Sequence, residues 1–285
     1  MFSNSFPQVY SLTLPILPTL YSTKVIMKNH IQNKTVLITG ATSGIGRQLA
    51  TDLISYNVNL ILIARSTDKL EELQATLAAT TSNTISTYTL DVRDRSEVHD
   101  TMTTILAKHT VDILINNAGL ASGLSKLHEG DLDQWDNMLD TNVKGLLYIS
   151  KPIIAKMIDL PTAHVINIGS VAGKTAYSMG NVYCATKAAV HMLTENMNID
   201  LLATNVKVST IAPGAVNTNF ANVRFNDDKS KVDAVYEGYT PLGADDVSSA
   251  IINVLNTPPH VNIQHLDIMP TAQRNPYTLD RSGTS

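Results

Sequence analysis

A doubly wound, parallel α/β sheet folded as one domain is the architecture that this 285-residue sequence predicts. Three observations carry the expectation. Short apolar, β-branched runs alternate with longer stretches of helical period, the pattern of βαβ units. The runs are apolar throughout rather than alternating, as strands covered on both faces must be. A glycine-rich turn joins the first run to the first helical stretch, and in an open α/β sheet the ligand crevice lies outside such strand ends.

The elements follow in order. TVLIT at residues 35–39 is the first buried strand, and Ile45, Leu49 and Leu53 recur at helical spacing on one apolar face. Residues 60–64 form the second strand, and Asp68 followed by Glu71 marks a capped helix start. Residues 85–90 are the third strand, with Asp94 and Glu97 opening the next helix, and residues 113–116 are the fourth. Residues 132–158 read as one long helix, bent near Pro152, where the ring removes a backbone donor. HVINI at residues 164–168 is the fifth strand, residues 179–202 a helix, residues 207–211 the sixth strand, residues 245–255 a helix and residues 263–269 the last strand.

Composition bounds the function. Hydrophobic residues make up 44% and charged residues 16%, enough for a large buried core. A net charge of −4 gives no basic surface for nucleic acid. The single cysteine, Cys184, excludes an internal disulfide and fits a reducing, cytoplasmic setting. No His or carboxylate grouping has metal-ligand spacing. The apolar run at residues 12–20 contains Pro15 and Pro18 and is too short to span a bilayer. Residues 1–30 read as a poorly ordered extension, 31–275 as the folded α/β domain and 276–285 as a tail. A targeting segment and an upstream start ahead of Met27 remain alternatives for the extension.

The turn after the first strand is Gly40-Ala41-Thr42-Ser43-Gly44-Ile45-Gly46. Gly40 closes a tight turn, Gly44 lets backbone N–H groups approach a pyrophosphate, and Gly46 lets the helix pack close to the sheet. Thr42, Ser43 and Ile45 complete the cradle, and the helix N-terminus offers free N–H groups and a positive dipole end to the anion. The second strand selects the dinucleotide. NAD sites place an acidic residue there for the ribose 2′-hydroxyl. This chain has Ala64, Arg65 and Ser66 instead. A carboxylate would repel a 2′-phosphate, whereas a guanidinium pairs with it, so the expected cofactor is NADP.

TGATSGIG at residues 39–46, Asn116-Asn117-Ala118-Gly119, Asn142, Ser170, Tyr183 with Lys187, and Pro213-Gly214 follow one another in the order seen in short-chain dehydrogenases/reductases. The sequence resembles that family over nearly the whole chain beyond the extension. Its C-terminal part, FANVRF at residues 220–225 with Asp227-Asp228 and later Met269-Pro270, resembles the NADP-dependent 3-hydroxy acid dehydrogenases. The resemblance implies a Rossmann-like, single-domain oxidoreductase of 3-hydroxy acids, usually a homotetramer.

The chemistry is readable beside the resemblance. Tyr183 and Lys187 lie four apart on a helix and share a face. Carbonyl reduction needs a proton donor, and an ammonium beside a phenol, whose pKa is near 10, is expected to lower it. Tyr183 then acts as acid for reduction and base for oxidation, Ser170 holds the substrate oxygen, and by the resemblance Asn142 supports a water linking Lys187 to solvent. Asp91 and Val92 are expected at the adenine, Asn117 and Ala118 at the adenosine ribose, and Pro213, Gly214, Val216 and Thr218 at the nicotinamide end. Arg224 is the candidate partner of a substrate carboxylate, against the alternative that Asp227 and Asp228 neutralise it. The rival functions are a broad reductase of apolar ketones and a catalytically silent NADP-binding regulator; the complete Asn142, Ser170, Tyr183 and Lys187 set speaks against the latter.

Overall fold

A computed structural model describes residues 29–283. The expected extension therefore lies, up to residue 28, outside the described residues, as do the last two residues of the tail. The body begins at once: Asn29 donates to the Tyr56 carbonyl, and Ile31 is buried. Among the described residues, no helix is long and apolar enough to cross a membrane.

Seven parallel strands form the sheet: β1 (Thr35–Thr39), β2 (Asn59–Ala64), β3 (Ile85–Thr89), β4 (Ile113–Asn116), β5 (Ala163–Ile168), β6 (Val206–Pro213) and β7 (His265–Ile268). Their spatial order is β3-β2-β1-β4-β5-β6-β7. The chain runs outward from β1 to β3, returns to the other side of β1 with β4, and continues to β7. The strand order reverses between β1 and β4, so the crevice expected of a doubly wound sheet opens there. The apolar runs are explained by burial on both faces. Val36 and Ile38 face one core with Leu49 and Leu53 of helix α1 (Gly44–Leu53), while Leu37 faces the other with Met102 and Ile105 of α3 (Arg95–Lys108). Between them in sequence, α2 (Thr67–Ala78) is capped by Ser66, two residues ahead of the expected Asp68-Glu71 signal, because the Ser66 hydroxyl accepts from the Lys69 N–H.

The expected single helix over residues 132–158 is instead α4 (Leu132–Leu139), a π-helical segment Asp140–Gly145 and α5 (Leu146–Met157). The departure from α-helical pairing that the sequence suggests for Pro152 lies earlier, at Asn142. There the buried carboxamide accepts from the Leu120 N–H and donates to the Leu120 carbonyl, both at 2.9 Å, and donates to Thr186 Oγ1 at 3.0 Å. A π segment carries one extra residue per turn and turns a polar side chain into the core where its partners wait.

α6 (Asn181–Asp200) packs beside α4 and the π segment. Below the crevice, a buried polar chain ties these elements to the sheet: Asn116 Nδ2 donates to Ser150 Oγ and Asn167 Oδ1, both at 2.8 Å, and Asn167 Nδ2 donates to Thr194 Oγ1 at 2.9 Å. After β6 come two short helices that hydrophobic periodicity does not announce, α7 (Phe220–Arg224) and α8 (Lys229–Tyr236). α9 (Ala244–Leu255) packs against α1. The segment after β7 folds back, where Arg281 donates to the Ala234 and Glu237 carbonyls of the α8 region.

Candidate active site

A cleft of about 390 Å³ opens at the carboxyl ends of β1 and β4. It is lined by Gly40, Thr42, Ser43, Gly44, Ile45, Arg65, Ser66, Asp91, Val92, Asn117, Ala118, Ser170, Tyr183, Lys187, Pro213, Gly214, Val216 and Thr218, residues that the sequence reading singles out. Three others of that set stand off the lining. Gly46 lies behind Gly40, Asn142 is buried beneath Gly119, and Arg224 sits over the rings of Tyr177 and Tyr183.

The glycine turn has the geometry of a phosphate cradle. Gly40 and Gly44 hold φ of +66° and +50°, which side chains disfavour. A Cβ on Gly46 would fall 2.4 Å from Asn117 Nδ2 and 2.5 Å from the Gly40 carbonyl. Asn117 Nδ2 donates to the Thr39 carbonyl at 2.9 Å and the Gly40 carbonyl at 3.1 Å, locking the β1 and β4 ends together. Ser43 caps α1 with no side-chain hydrogen bond, and no acidic residue stands in its first turn. The N-terminal N–H groups and the positive dipole end are therefore uncompensated by side chains and directed to an anion, so these residues fit a dinucleotide pyrophosphate.

Past the end of β2, exposed Arg65 and Lys69 both line the cleft and add two cations where an acid would stand for an unphosphorylated ribose. Sequence reasoning passed over Lys69; its signal is its place in the first turn of α2, three residues after the capping Ser66. Asp91 is engaged by the Arg93 guanidinium, Nε lying 2.9 Å from Oδ1, and that pairing holds its carboxyl below the usual range.

At the far end, Ser170, Tyr183 and Lys187 converge. Ser170 lies two residues past the end of β5, its Oγ accepting from the Ala172 N–H at 3.1 Å. Lys187 is buried and donates from Nζ to the Ile168 carbonyl at 2.8 Å; burial pushes its ammonium down to about 8. Tyr183 presents a partly exposed ring to the cleft, tilted against Phe220 at 5.8 Å between centroids. Here the structure corrects an expectation. The Tyr183 hydroxyl is pushed up, chiefly by burial and then by Tyr177, while Ser170 and Arg224 draw it down without prevailing. The expected lowering by Lys187 is not the controlling effect, because desolvation disfavours the charged form of phenol and lysine alike.

Arg224 Cζ lies 5.5 Å from the centre of the Tyr177 ring and 5.7 Å from that of Tyr183. Its Nε donates to the Gly123 carbonyl at 3.3 Å. Asp228 turns its carboxylate to Ser230 and Lys231 instead. Among the described residues, no salt bridge includes Arg224. Tyr177, Phe220 and Val223 complete this mouth. The FANVRF motif includes Phe220 and Val223, but periodicity could not place them or Tyr177 at the site because α7 and the loop before α6 are too short for it to mark.

The depressed lysine gives a stability signature. From about pH 8 to about 10.4, the unfolded chain retains a proton that folded Lys187 has shed, so stability from this residue rises with pH across that window. Wild type is expected to gain roughly 2–3 kcal/mol relative to Lys187→Met between these limits, read from urea unfolding at a series of pH values. Parallel curves for the two proteins would contradict the burial of an ionisable ammonium.

Comparison with known proteins agrees with this geometry. The short chain dehydrogenase family matches residues 34–229. The chain is 39% identical over 240 residues to the NADP-dependent 3-hydroxy acid dehydrogenase YdfG of Escherichia coli (strain K12), covering 84% of this chain and 95% of that protein. It is 39% identical over 249 residues to sulfoacetaldehyde reductase 2 of Chromohalobacter salexigens, covering 86% and 98%. Among solved structures, the closed form of serine dehydrogenase complexed with NADP+ superposes with a TM-score of 0.80 at 39% identity, over 84% of this chain and 96% of that one. On this evidence the chain belongs to the short-chain dehydrogenase family.

Proposed function

We propose that this enzyme is an NADP-dependent oxidoreductase that interconverts a small 3-hydroxy acid and its carbonyl counterpart. The observation that carries the substrate class is Arg224, stacked on the tyrosine that borders Ser170 and joined to no carboxylate of the described residues. A carboxylate-bearing substrate supplies the missing partner, since a buried acid without one is costly. Two relatives named for acidic substrates, a 3-hydroxy acid and sulfoacetaldehyde, support the same class.

Arg65, Lys69 and Ser66 would hold the 2′-phosphate, Thr42, Ser43 and the α1 N-terminus with Gly44, Ile45 and Gly46 the pyrophosphate, Asp91 and Val92 the adenine, Asn117 and Ala118 the adenosine ribose, and Pro213, Gly214, Val216 and Thr218 the nicotinamide end. When bound, NADP(H) supplies or accepts a hydride at its nicotinamide ring. Ser170 donates to the substrate oxygen and holds it beside the Tyr183 hydroxyl. Tyr183, kept protonated by burial, delivers a proton to that oxygen in reduction. In the reverse direction it must accept the proton, and the nearby cation Arg224 favours the phenolate. Asn142 secures Leu120 and Thr186 around Lys187, the frame in which a water could link the ammonium to solvent. A homo-oligomer, as a tetramer, is supported by exposed apolar residues on α4 and α5 (Leu132, Leu139, Leu147) and on and just past α6 (Met192, Ile199, Leu202). The lone buried Cys184 is consistent with a cytoplasmic setting.

Two experiments test these assignments. Arg65→Asp is expected to shift the ratio of kcat/KM for NADPH over NADH by about tenfold or more, the size of one lost charge-assisted pair. An unchanged ratio would remove Arg65 as selector. Arg224→Met, assayed on malonic semialdehyde and on a neutral ketone of similar size, is expected to lose about tenfold or more in kcat/KM on the acid alone. Equal losses on both would assign Arg224 to folding or assembly, and wild-type preference for an apolar aromatic ketone would favour a broad carbonyl reductase.

A further inference from the structure

Tyr183 and Lys187 have a third member on their stripe of α6. His191 follows at the next interval of four, so its side chain leaves the same face one turn further on. It is buried, and its Nε2 lies 2.9 Å from the Ser170 carbonyl oxygen. Lys187 holds the Ile168 carbonyl in the same manner. Two successive side chains of α6 thus grip the backbone on either side of Gly169, immediately before the Ser170 hydroxyl.

The surroundings are shaped to the imidazole. A Cβ on Gly169 would stand 2.6 Å from Thr210 Cγ2 and 2.9 Å from His191 Nε2, and one on Gly173 would stand 2.6 Å from both His191 Cδ2 and the Lys187 backbone. The two glycines that bracket Ser170 therefore leave the slot in which the ring sits. A carbonyl only accepts, so Nε2 carries the proton; Nδ1 is buried without a partner. The charged and titratable groups around the ring are His265 of β7, stacked at 6.1 Å and 13°, and Lys174 and Asp267, which pair with each other at 2.6 Å. Glu195 of α6 lies 3.7 Å from His265 Nε2. Burial is the main cause that pushes His191 down, with Lys174 and His265 acting in the same direction, so a neutral Nε2–H donor is the resting form.

We infer that His191 is a positioning residue for the hydride-transfer site: its Nε2–H holds the Ser170 carbonyl and thereby aims the Ser170 hydroxyl at the substrate oxygen beside Tyr183. The inference rests on the proposed role of Ser170. A packing residue would be replaceable by any side chain of similar volume; a positioning donor is replaceable only by another donor.

The experiment is a mutant cycle read by kcat, by KM for the carbonyl substrate and by NADPH binding. His191→Leu, which fills space without a donor, is expected to lower kcat by about tenfold with NADPH affinity changed less than about twofold. His191→Gln, whose amide can reach the same carbonyl, is expected to restore most of the loss. In a Ser170→Ala background, His191→Leu is expected to cost less than about twofold, because the group it aims is gone. Equal losses from the Leu and Gln variants, or a full loss persisting in the Ser170→Ala background, would overturn the inference. If His191→Leu does not fold, His191→Met carries the same test, since its flexible side chain also fills the space without a donor. Unchanged kcat in Ser170→Ala alone would overturn the role of Ser170, a separate failure that removes the premise.

Discussion

The close approach of α1 to the end of β1 is the constraint on which the cleft depends. Gly46 lies so near the Gly40 carbonyl and the Asn117 carboxamide that any side chain would push the helix off the sheet. With that contact made, three things follow together. The α1 N-terminus points into the crevice, Asn117 can bridge the ends of β1 and β4, and Thr39 Oγ1 can accept from the Asn117 and Ala118 N–H groups at 3.1 and 3.0 Å. The floor of the site is thus a hydrogen-bonded knot between the two strands at which the sheet reverses its order, and the rest of the cleft is built outward from it.

The chemical end of the site is governed by dehydration. One cause moves two neighbouring groups in opposite directions: burial raises the phenol of Tyr183 and lowers the ammonium of Lys187. Both shifts run toward the uncharged form, yet Lys187, at about 8, keeps its proton near neutral pH, so the site can respond to charge brought into it. A substrate anion near Arg224 and a dinucleotide along the cleft each alter that balance. The proposed proton transfer would in this way be coupled to occupancy, because free Tyr183 has little tendency to ionise and Arg224 is the neighbouring cation that draws its pKa down.

How far the sequence discloses this structure depends on the kind of signal each part leaves. Strands such as TVLIT and HVINI are visible because burial on both faces demands continuous apolar residues. The glycine turn, Arg65, Ser170 and the Tyr183–Lys187 pair are visible because each lies at a strand end or at helical spacing, where position alone restricts the environment. The π segment at Asn142 is invisible to periodicity: it is an insertion of one residue into a helical pattern, stabilised by Leu120 and Thr186 far away in sequence. α7 and α8 are too short to show an apolar stripe, so although Phe220 and Val223 stand within the FANVRF motif, their place on the cleft emerges only from the fold. Tyr183's raised pKa was hidden for a different reason. Spacing reports which groups are near, whereas desolvation depends on everything packed around them. Lys69 and His191 fall between these cases: helical spacing places them correctly, but only the structure supplies the cleft and the carbonyl that they meet.

The central claim is that the Tyr183 hydroxyl is the proton donor to the substrate oxygen, and Tyr183→Phe tests it most directly because it removes that hydroxyl with little change in volume. NADPH binding by fluorescence titration and turnover with malonic semialdehyde would be measured on the same preparation. Binding retained within about threefold, with kcat reduced by about a hundredfold or more, is the predicted result, since general acid catalysis contributes at least that much. Near-normal turnover in a folded, NADPH-binding variant would contradict the account.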